Sequence, residues 1–280
     1  VDQARRIMER QPDLRPAVTL EGQPKNSSIH ASGMVLSGSP LESVMGVCWR
    51  KGETGVSEAV TSYSYDGCAH LGLLKIDILG LSALTRLRLM IDAIGMTPGQ
   101  LYSLPLDDRS SFDVFNKQDL LGIFQFEGDS MRRVCGQMGQ ISTIEELADI
   151  NALCRPGPLI AGGTQSYLDN RARPEVTKQS PHPLLKQYTT DTQYQLIYQE
   201  QMQEICREIG GLSWADTNKL RKMVTGKQGA EAFDVYRDRF VEGAVERHQI
   251  SAQQVQQLFE IIRVFGKYGF NKSHAISYSL

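Results

Sequence analysis

Between residues 30 and 80 the apolar positions fall in short runs separated by Gly, Ser and Thr; beyond residue 80 they recur every three or four positions. The short runs, at 33–37, 44–49, 60–65 and 72–79, predict strands. The later spacing predicts helices. Ser82 is placed to cap a helix carrying Leu84, Leu87, Ile91 and Ile94, ended by Gly95 and Pro98. Ser142 and Glu145 have the spacing of a capping box before Leu147, Ile150 and Leu153, and that helix must stop at Arg155-Pro-Gly-Pro158. Tyr198, Met202, Ile205 and Ile209 form a stripe closed by Gly210 and Gly211. Ser213 starts a helix bearing Lys219, Arg221 and Lys222, and Val255, Leu258, Ile262 and Phe265 mark a last one ending near Gly266 or Gly269. Residues 1–12 read as the end of a helix stopped near Pro12. The fold class expected is α+β: a small β-rich part at roughly 30–80 feeding a larger helical part at 82–280.

One strand breaks its own pattern. Leu71-Gly-Leu-Leu-Lys-Ile-Asp-Ile-Leu-Gly80 reads as a buried strand yet holds Lys75 and Asp77. Residues two apart share a face of a strand, with Cα atoms about 6–7 Å apart. Lys75 and Asp77 therefore point one way, and Leu74, Ile76 and Ile78 the other, towards a core. A lone buried carboxylate costs several kcal/mol unless it is paired or metal-bound. Two readings stay open: a structural ion pair, for which Lys75 itself suffices, or a metal ligand with Lys75 beside it to neutralise phosphate.

Composition narrows the picture little. The 280 residues are 41% hydrophobic and 22% charged, with a net charge of −2, as in ordinary globular chains. From Lys219 onward ten Lys/Arg face six Asp/Glu, a mild basic excess and not the strong basic signature of an autonomous DNA-binding domain. Cys48, Cys68, Cys135, Cys154 and Cys206 lack metal-ligand spacing and suit free thiols in a reducing cytosol. No apolar run approaches the roughly 18–20 residues of a membrane span, and no signal peptide is recognisable. The chain begins at Val1 within helix-like sequence and ends at Leu280 without a cap, as a piece of a longer polypeptide would.

Other segments carry ligand-type residues. Leu220-Arg-Lys-Met-Val-Thr-Gly-Lys227 puts adjacent cations on a helix before a Gly-Lys pair. A P-loop would need Gly at 221, where this chain has Arg, so that reading fails; taken alone the segment reads as a solvated basic face. Gly266-Lys-Tyr-Gly-Phe-Asn-Lys-Ser-His274 packs two glycines, two aromatics, two lysines, an Asn, a Ser and a His into nine residues. Glycines let a ligand approach, aromatics stack on bases and lysines contact phosphate, which favours binding over an ordinary turn. His30 reads as a hydrogen-bonded partner in a turn, and Arg155 as a corner residue pairing with an acid. The polar residues of Tyr198-Gln-Glu-Gln201 read as a solvated helix face.

Seven runs in order resemble those of one family. They are Ser28-Ile-His-Ala-Ser-Gly-Met-Val35, Gly72-Leu-Leu-Lys-Ile-Asp-Ile-Leu-Gly-Leu81, Gly122-Ile-Phe-Gln-Phe-Glu127, Ile150-Asn-Ala-Leu-Cys-Arg-Pro-Gly-Pro158, Ile197-Tyr-Gln-Glu-Gln201, Leu220-Arg-Lys222 and Tyr268-Gly-Phe-Asn-Lys-Ser-His-Ala275. The chain resembles, over nearly its whole length, the catalytic α subunit of bacterial DNA polymerase III, the C family of DNA polymerases.

The resemblance implies a palm similar to that of polymerase β, with three aspartates holding two Mg²⁺ ions. Asp77 matches the third, and the first two belong to an upstream Pro-Asp-x-Asp-x-Asp-type motif absent from this chain. Residues 1–30 would end the thumb, 31–81 would be the last strands of a nucleotidyltransferase palm, and 82–280 an incomplete helical fingers domain. Lys75, Arg221, Lys222 and Lys227 would grip the incoming triphosphate. Asn271, Lys272, Ser273 and His274 would line the nucleotide site, with His30 and Arg155 as further candidates. The implied partners are primer–template DNA, dNTP, the remainder of the polymerase, a sliding clamp and replisome subunits. The implied place is the cytoplasm, at the nucleoid and away from membranes. The alternative is a non-catalytic DNA- or nucleotide-binding module, or half of a split polymerase. The family commonly reads Leu-Arg-Arg-Ala-Met-Gly-Lys-Lys where this chain has Leu220 to Lys227, and Phe-Gln-Leu-Glu-Ser where it has Phe124 to Gly128. Lys at 222 lacks the bidentate fork of Arg. Such drift suggests a divergent branch, such as a phage-borne one.

Overall fold

The computed structural model describes residues 7, 10–13, 16, 23, 26, 28–30, 32–51, 55–225 and 230–280, without the side chains of 224, 225 and 230–232. The helix expected at 1–12 lies largely outside the described residues; Ile7 and Arg10 are helical. The chain divides into two compact units, residues 1–95 and 96–280. Among the described residues no helix is long and apolar enough to cross a membrane.

The first unit holds strands β1 (Gly33–Leu36), β2 (Val47–Lys51), β3 (Ser57–Thr61) and β4 (Leu74–Asp77), with helices α1 (Tyr65–His70) and α2 (Ser82–Ala93). β1 pairs antiparallel with β4 and β2 with β3, giving two two-stranded sheets. The strand expected at 60–65 ends at Thr61; Tyr65 instead opens α1, whose Cys68 is buried. Burying Cys68 outweighs the β-propensity of Tyr63 and Tyr65.

The β1–β4 register puts Met34 opposite Ile76 and Leu36 opposite Leu74 on one face. That face is not the core expected from the sequence: Leu74 is 60% exposed, Ile76 38% and Ile78 61%. α1 packs on the opposite face, where the Lys75 ammonium lies 4.9 Å from the centre of the Tyr65 ring. Alternation identifies a face; a second layer is needed to bury it. α2 starts at Ser82, one residue earlier than expected, with Leu81 instead of Ser82 at the cap position, and of its stripe only Ile91 is buried.

The second unit is helical: α3 (Pro98–Tyr102), α4 (Arg109–Asn116), α5 (Asp129–Gln137), α6 (Ile144–Leu153), α7 (Pro156–Ile160), α8 (Gly163–Ala172), α9 (Gln199–Glu208), α10 (Trp214–Thr225), α11 (Arg237–His248), α12 (Ala252–Phe265) and α13 (Lys272–Ser279). It has two cores. One surrounds α6, which is buried from Leu147 to Leu153, and takes in Phe126, Val134, Tyr167 and Ala275. The other joins Met202, Ile205 and Ile209 of α9 to Phe240 of α11 and to Val255, Leu258, Ile262 and Phe265 of α12. The expected stripes of α9 and α12 are therefore core. The cap of α6 sits one residue on: Thr143 accepts from the Glu146 N–H at 3.2 Å, while the Glu146 carboxylate takes the Ser142 N–H at 2.7 Å. α6 stops before Arg155 as expected, and Pro156 then begins α7 in the first helical position, where its missing N–H is no loss.

Candidate functional site

In the first unit the strand register builds one cluster. Gly33 lies opposite Asp77, and the Lys75 ammonium reaches both Asp77 oxygens, at 2.9 and 3.1 Å. His30 Nδ1 is 3.8 Å from Asp77 Oδ1 and accepts a hydrogen bond from the Ser32 N–H at 3.3 Å. Gly33 makes room: a Cβ there would come within 2.8 Å of Lys75 Cε and 3.1 Å of His30 Nδ1. His30, Lys75 and Asp77 are thus together. Asp77 is not the buried carboxylate expected: its side chain is 53% exposed, and Lys75, at 16%, is the more buried partner. An exposed pair of this kind contributes about 0–1 kcal/mol to stability. Among the described residues no group of three or more His, Cys, Asp or Glu is arranged to hold a metal ion.

In the second unit three sequence motifs meet. Segment 197–201 pairs in parallel with Phe270: the Phe270 N–H donates to Ile197 O at 3.1 Å and the Gln199 N–H to Phe270 O at 2.7 Å. Glu200, in the first turn of α9, accepts from Asn271 Nδ2 at 2.8 Å and from the Lys272 N–H at 3.0 Å. Asn271 Oδ1 in turn caps α13, accepting from the His274 N–H at 2.8 Å and the Ser273 hydroxyl at 2.7 Å. The Glu200 carboxylate thus sits at the α13 N-terminus, which favours negative charge. Arg155 donates to Tyr268 O at 2.8 Å and Ala152 O at 3.0 Å, and its guanidinium lies 4.1 Å from the centre of the Phe270 ring. Its partners are carbonyls and a ring, not the acid expected. Lys272, Ser273 and His274 are exposed, and His274 stands between Phe270 and Tyr278 at 5.4 and 4.2 Å.

Sequence reasoning missed the groups that tie this clasp together. Residues 198–201 are not a solvated face: Gln199 and Tyr198 are buried, and Gln201 holds the Ile197 and Tyr198 N–H groups at 3.0 and 2.9 Å. Below them, Asp149 of α6 is 3% exposed and accepts the hydroxyls of Tyr198 at 2.7 Å and Tyr167 at 2.8 Å. Burial pushes its pKa up to about 6, against the two hydroxyl bonds and the charge of Lys272. Both tyrosines are pushed up in turn, by burial and then by Asp149. The signal was a carboxylate set among apolar neighbours on its helix, Leu147, Ala148, Ile150 and Ala152.

Arg221 and Lys222 lie on α10, which packs against α9, where Gln203 Nε2 and Asn218 Oδ1 are 3.3 Å apart. Arg221 is half-buried and Lys222 exposed. Lys227 lies outside the described residues.

Two family models match the chain. The model described as the bacterial DNA polymerase III alpha subunit finger domain covers residues 81–248, and that described as the bacterial DNA polymerase III alpha NTPase domain covers 2–80. Over 99% of this chain, the DNA polymerase III subunit alpha of Aquifex aeolicus is 31% identical, and over 93% that of Bacillus subtilis is 34% identical. The error-prone DNA polymerase of Corynebacterium glutamicum is 29% identical over 95% of the chain. The matched parts are 24%, 23% and 25% of these relatives, so the chain spans about a quarter of their length.

Proposed function

The chain belongs to the family of bacterial DNA polymerase III alpha subunits, and from that premise we propose that it is part of a template-directed DNA polymerase. In this reading it helps add dNTPs to a primer 3′ end by nucleotidyl transfer, with residues 1–30 as the end of the thumb, 31–81 as the last part of the palm and 82–280 as incomplete fingers. The observation that carries the proposal is the cluster of Lys75, Asp77 and His30 on one face of the β1–β4 pair. It sets an exposed carboxylate beside a cation, the pairing that a triphosphate and its counter-ions require.

Mg²⁺ prefers six oxygen ligands and is held by one or two carboxylates together with substrate phosphates and water. Asp77 is one carboxylate, and since no group of three or more His, Cys, Asp or Glu is gathered among the described residues, the donor set does not hold two ions by itself. Asp77 is proposed as one ligand of a pair of Mg²⁺ ions, with the others supplied by the remainder of the polymerase. Lys75 would leave Asp77 for a phosphate as the ligand enters. Arg221, Lys222 and Lys227 are proposed phosphate contacts, and Lys272, Ser273 and His274 an exposed edge of the nucleotide site. Asn271 serves that edge by capping α13, since its oxygen and amide are already engaged. Primer–template DNA, dNTP, a sliding clamp and replisome subunits are the proposed partners, in the cytoplasm at the nucleoid.

A single carboxylate also supports a second reading, in which this chain is a binding module or half of a split polymerase and inactive alone. Primer extension separates the readings. In the full-length polymerase Asp77→Asn should abolish extension while DNA binding stays largely intact; near-normal turnover would sink the assignment. The 280 residues alone should extend nothing, and activity there would overturn the ligand argument.

A further inference from the structure

The buried carboxylate of Asp149 takes no part in the chemistry above, yet it sits under the clasp that presents Lys272. We propose that Asp149 is a positioning residue: through the Tyr198 hydroxyl it fixes the pairing of 197–201 with 270–272, and so the place of the Lys272 ammonium at the nucleotide edge. The inference rests on the polymerase reading.

The chain of contacts is short. Asp149 Oδ1 accepts from Tyr198, while Oδ2 accepts from Tyr167. Tyr198 pairs with Phe270 and its ring faces the Lys272 ammonium at 5.7 Å. Two residues along, Glu200 holds the Lys272 N–H. A buried hydroxyl bonded to a charged group is held more firmly than one bonded to a neutral acceptor. Tyr167, on α8, shares the same carboxylate but lies outside the clasp. The two tyrosines thus make like bonds to Asp149 with different consequences.

The charged and titratable groups acting on this carboxylate are Glu146 on α6, Tyr167 on α8, Tyr198 on the clasp and Lys272 on α13; Glu200 acts on Tyr198, and Arg171 on α8 is paired with Glu146. Lys272 favours the ionised carboxylate and Glu146 opposes it, after burial as the main effect.

The test compares Tyr198→Phe and Tyr167→Phe in the full-length polymerase, by steady-state dNTP incorporation and thermal melting. Both should lower the melting temperature by similar amounts. Tyr198→Phe should also raise the dNTP KM about tenfold with kcat little changed, the scale of one lost hydrogen bond to a charged group. Tyr167→Phe should leave KM within about twofold. Equal KM effects from both variants, or none from either, would overturn the positioning role and leave the polymerase reading standing. A wild-type enzyme that incorporates no dNTP would remove that reading and this inference with it. In that case the melting temperatures would still report the two bonds to Asp149.

Discussion

Asp149 shows how one buried group makes stability depend on pH. Its folded pKa of about 6 lies above the ordinary 3.8, so the native state binds the proton more tightly than the unfolded chain. The unfavourable contribution of the ionised carboxylate is full above pH 6 and vanishes below about pH 4. Stability from this residue therefore rises as pH falls through that window. Asp149→Asn removes the titration and keeps an acceptor for one tyrosine and a donor towards the other. Denaturant melts between pH 4 and 7 should give a stability difference between wild type and variant that changes with pH. A difference constant across the window would show that Asp149 does not titrate there. At the same scale Asp77 was legible from the sequence as one of a pair with Lys75, because a two-residue offset fixes a shared face. Its exposure was not legible, because no local pattern reports what covers a strand.

Helix contacts in the second unit depend on close approach at two glycines. A Cβ on Gly210, after α9, would lie 2.1 Å from Phe240 Cδ2, and one on Gly243 of α11 would lie 2.3 Å from Gly210 O. The second obstacle is backbone and cannot rotate away. Gly243→Ala should therefore destabilise by about 1–3 kcal/mol or more, the usual cost of overpacking, although alanine is the better helix former. A denaturant midpoint equal to wild type would contradict this contact. The stripes of α9 and α12 were readable because each has one apolar face at helical spacing and a core to receive it. The cap of α6 was misplaced by one because Ser142–Glu145 and Thr143–Glu146 share the same spacing; the structure uses the second pair for the cap and Ser142 for the return bond. The clasp was hidden for another reason: Glu200 and Asn271 are 71 positions apart, and no local pattern joins them.

Burial is divided unevenly over the whole molecule. Both cores of packed side chains fall within residues 96–280. In the first unit only Met45, Cys68 and Ile91 are buried hydrophobics among the described residues, while Leu74, Ile78, Leu79, Leu89 and Ile94 are each at least 60% exposed. Among the described residues, the large apolar side chains packed against one another, which carry most of the hydrophobic stabilisation, are concentrated in the second unit. Residues 96–280 produced alone should therefore unfold in a single cooperative transition, with a melting temperature within about 5 °C of that of the whole chain. Residues 1–95 alone should show no such transition and should bind a hydrophobic dye through the β1–β4 face. Cooperative melting of 1–95 without dye binding, or a featureless melt of 96–280, would mean that the stabilising contacts are distributed otherwise. The outcome also bears on the proposed chemistry, because Asp77 and Lys75 belong to the unit with the least burial of its own. Their precise placement in an active polymerase would then depend on what covers Leu74, Ile76 and Ile78.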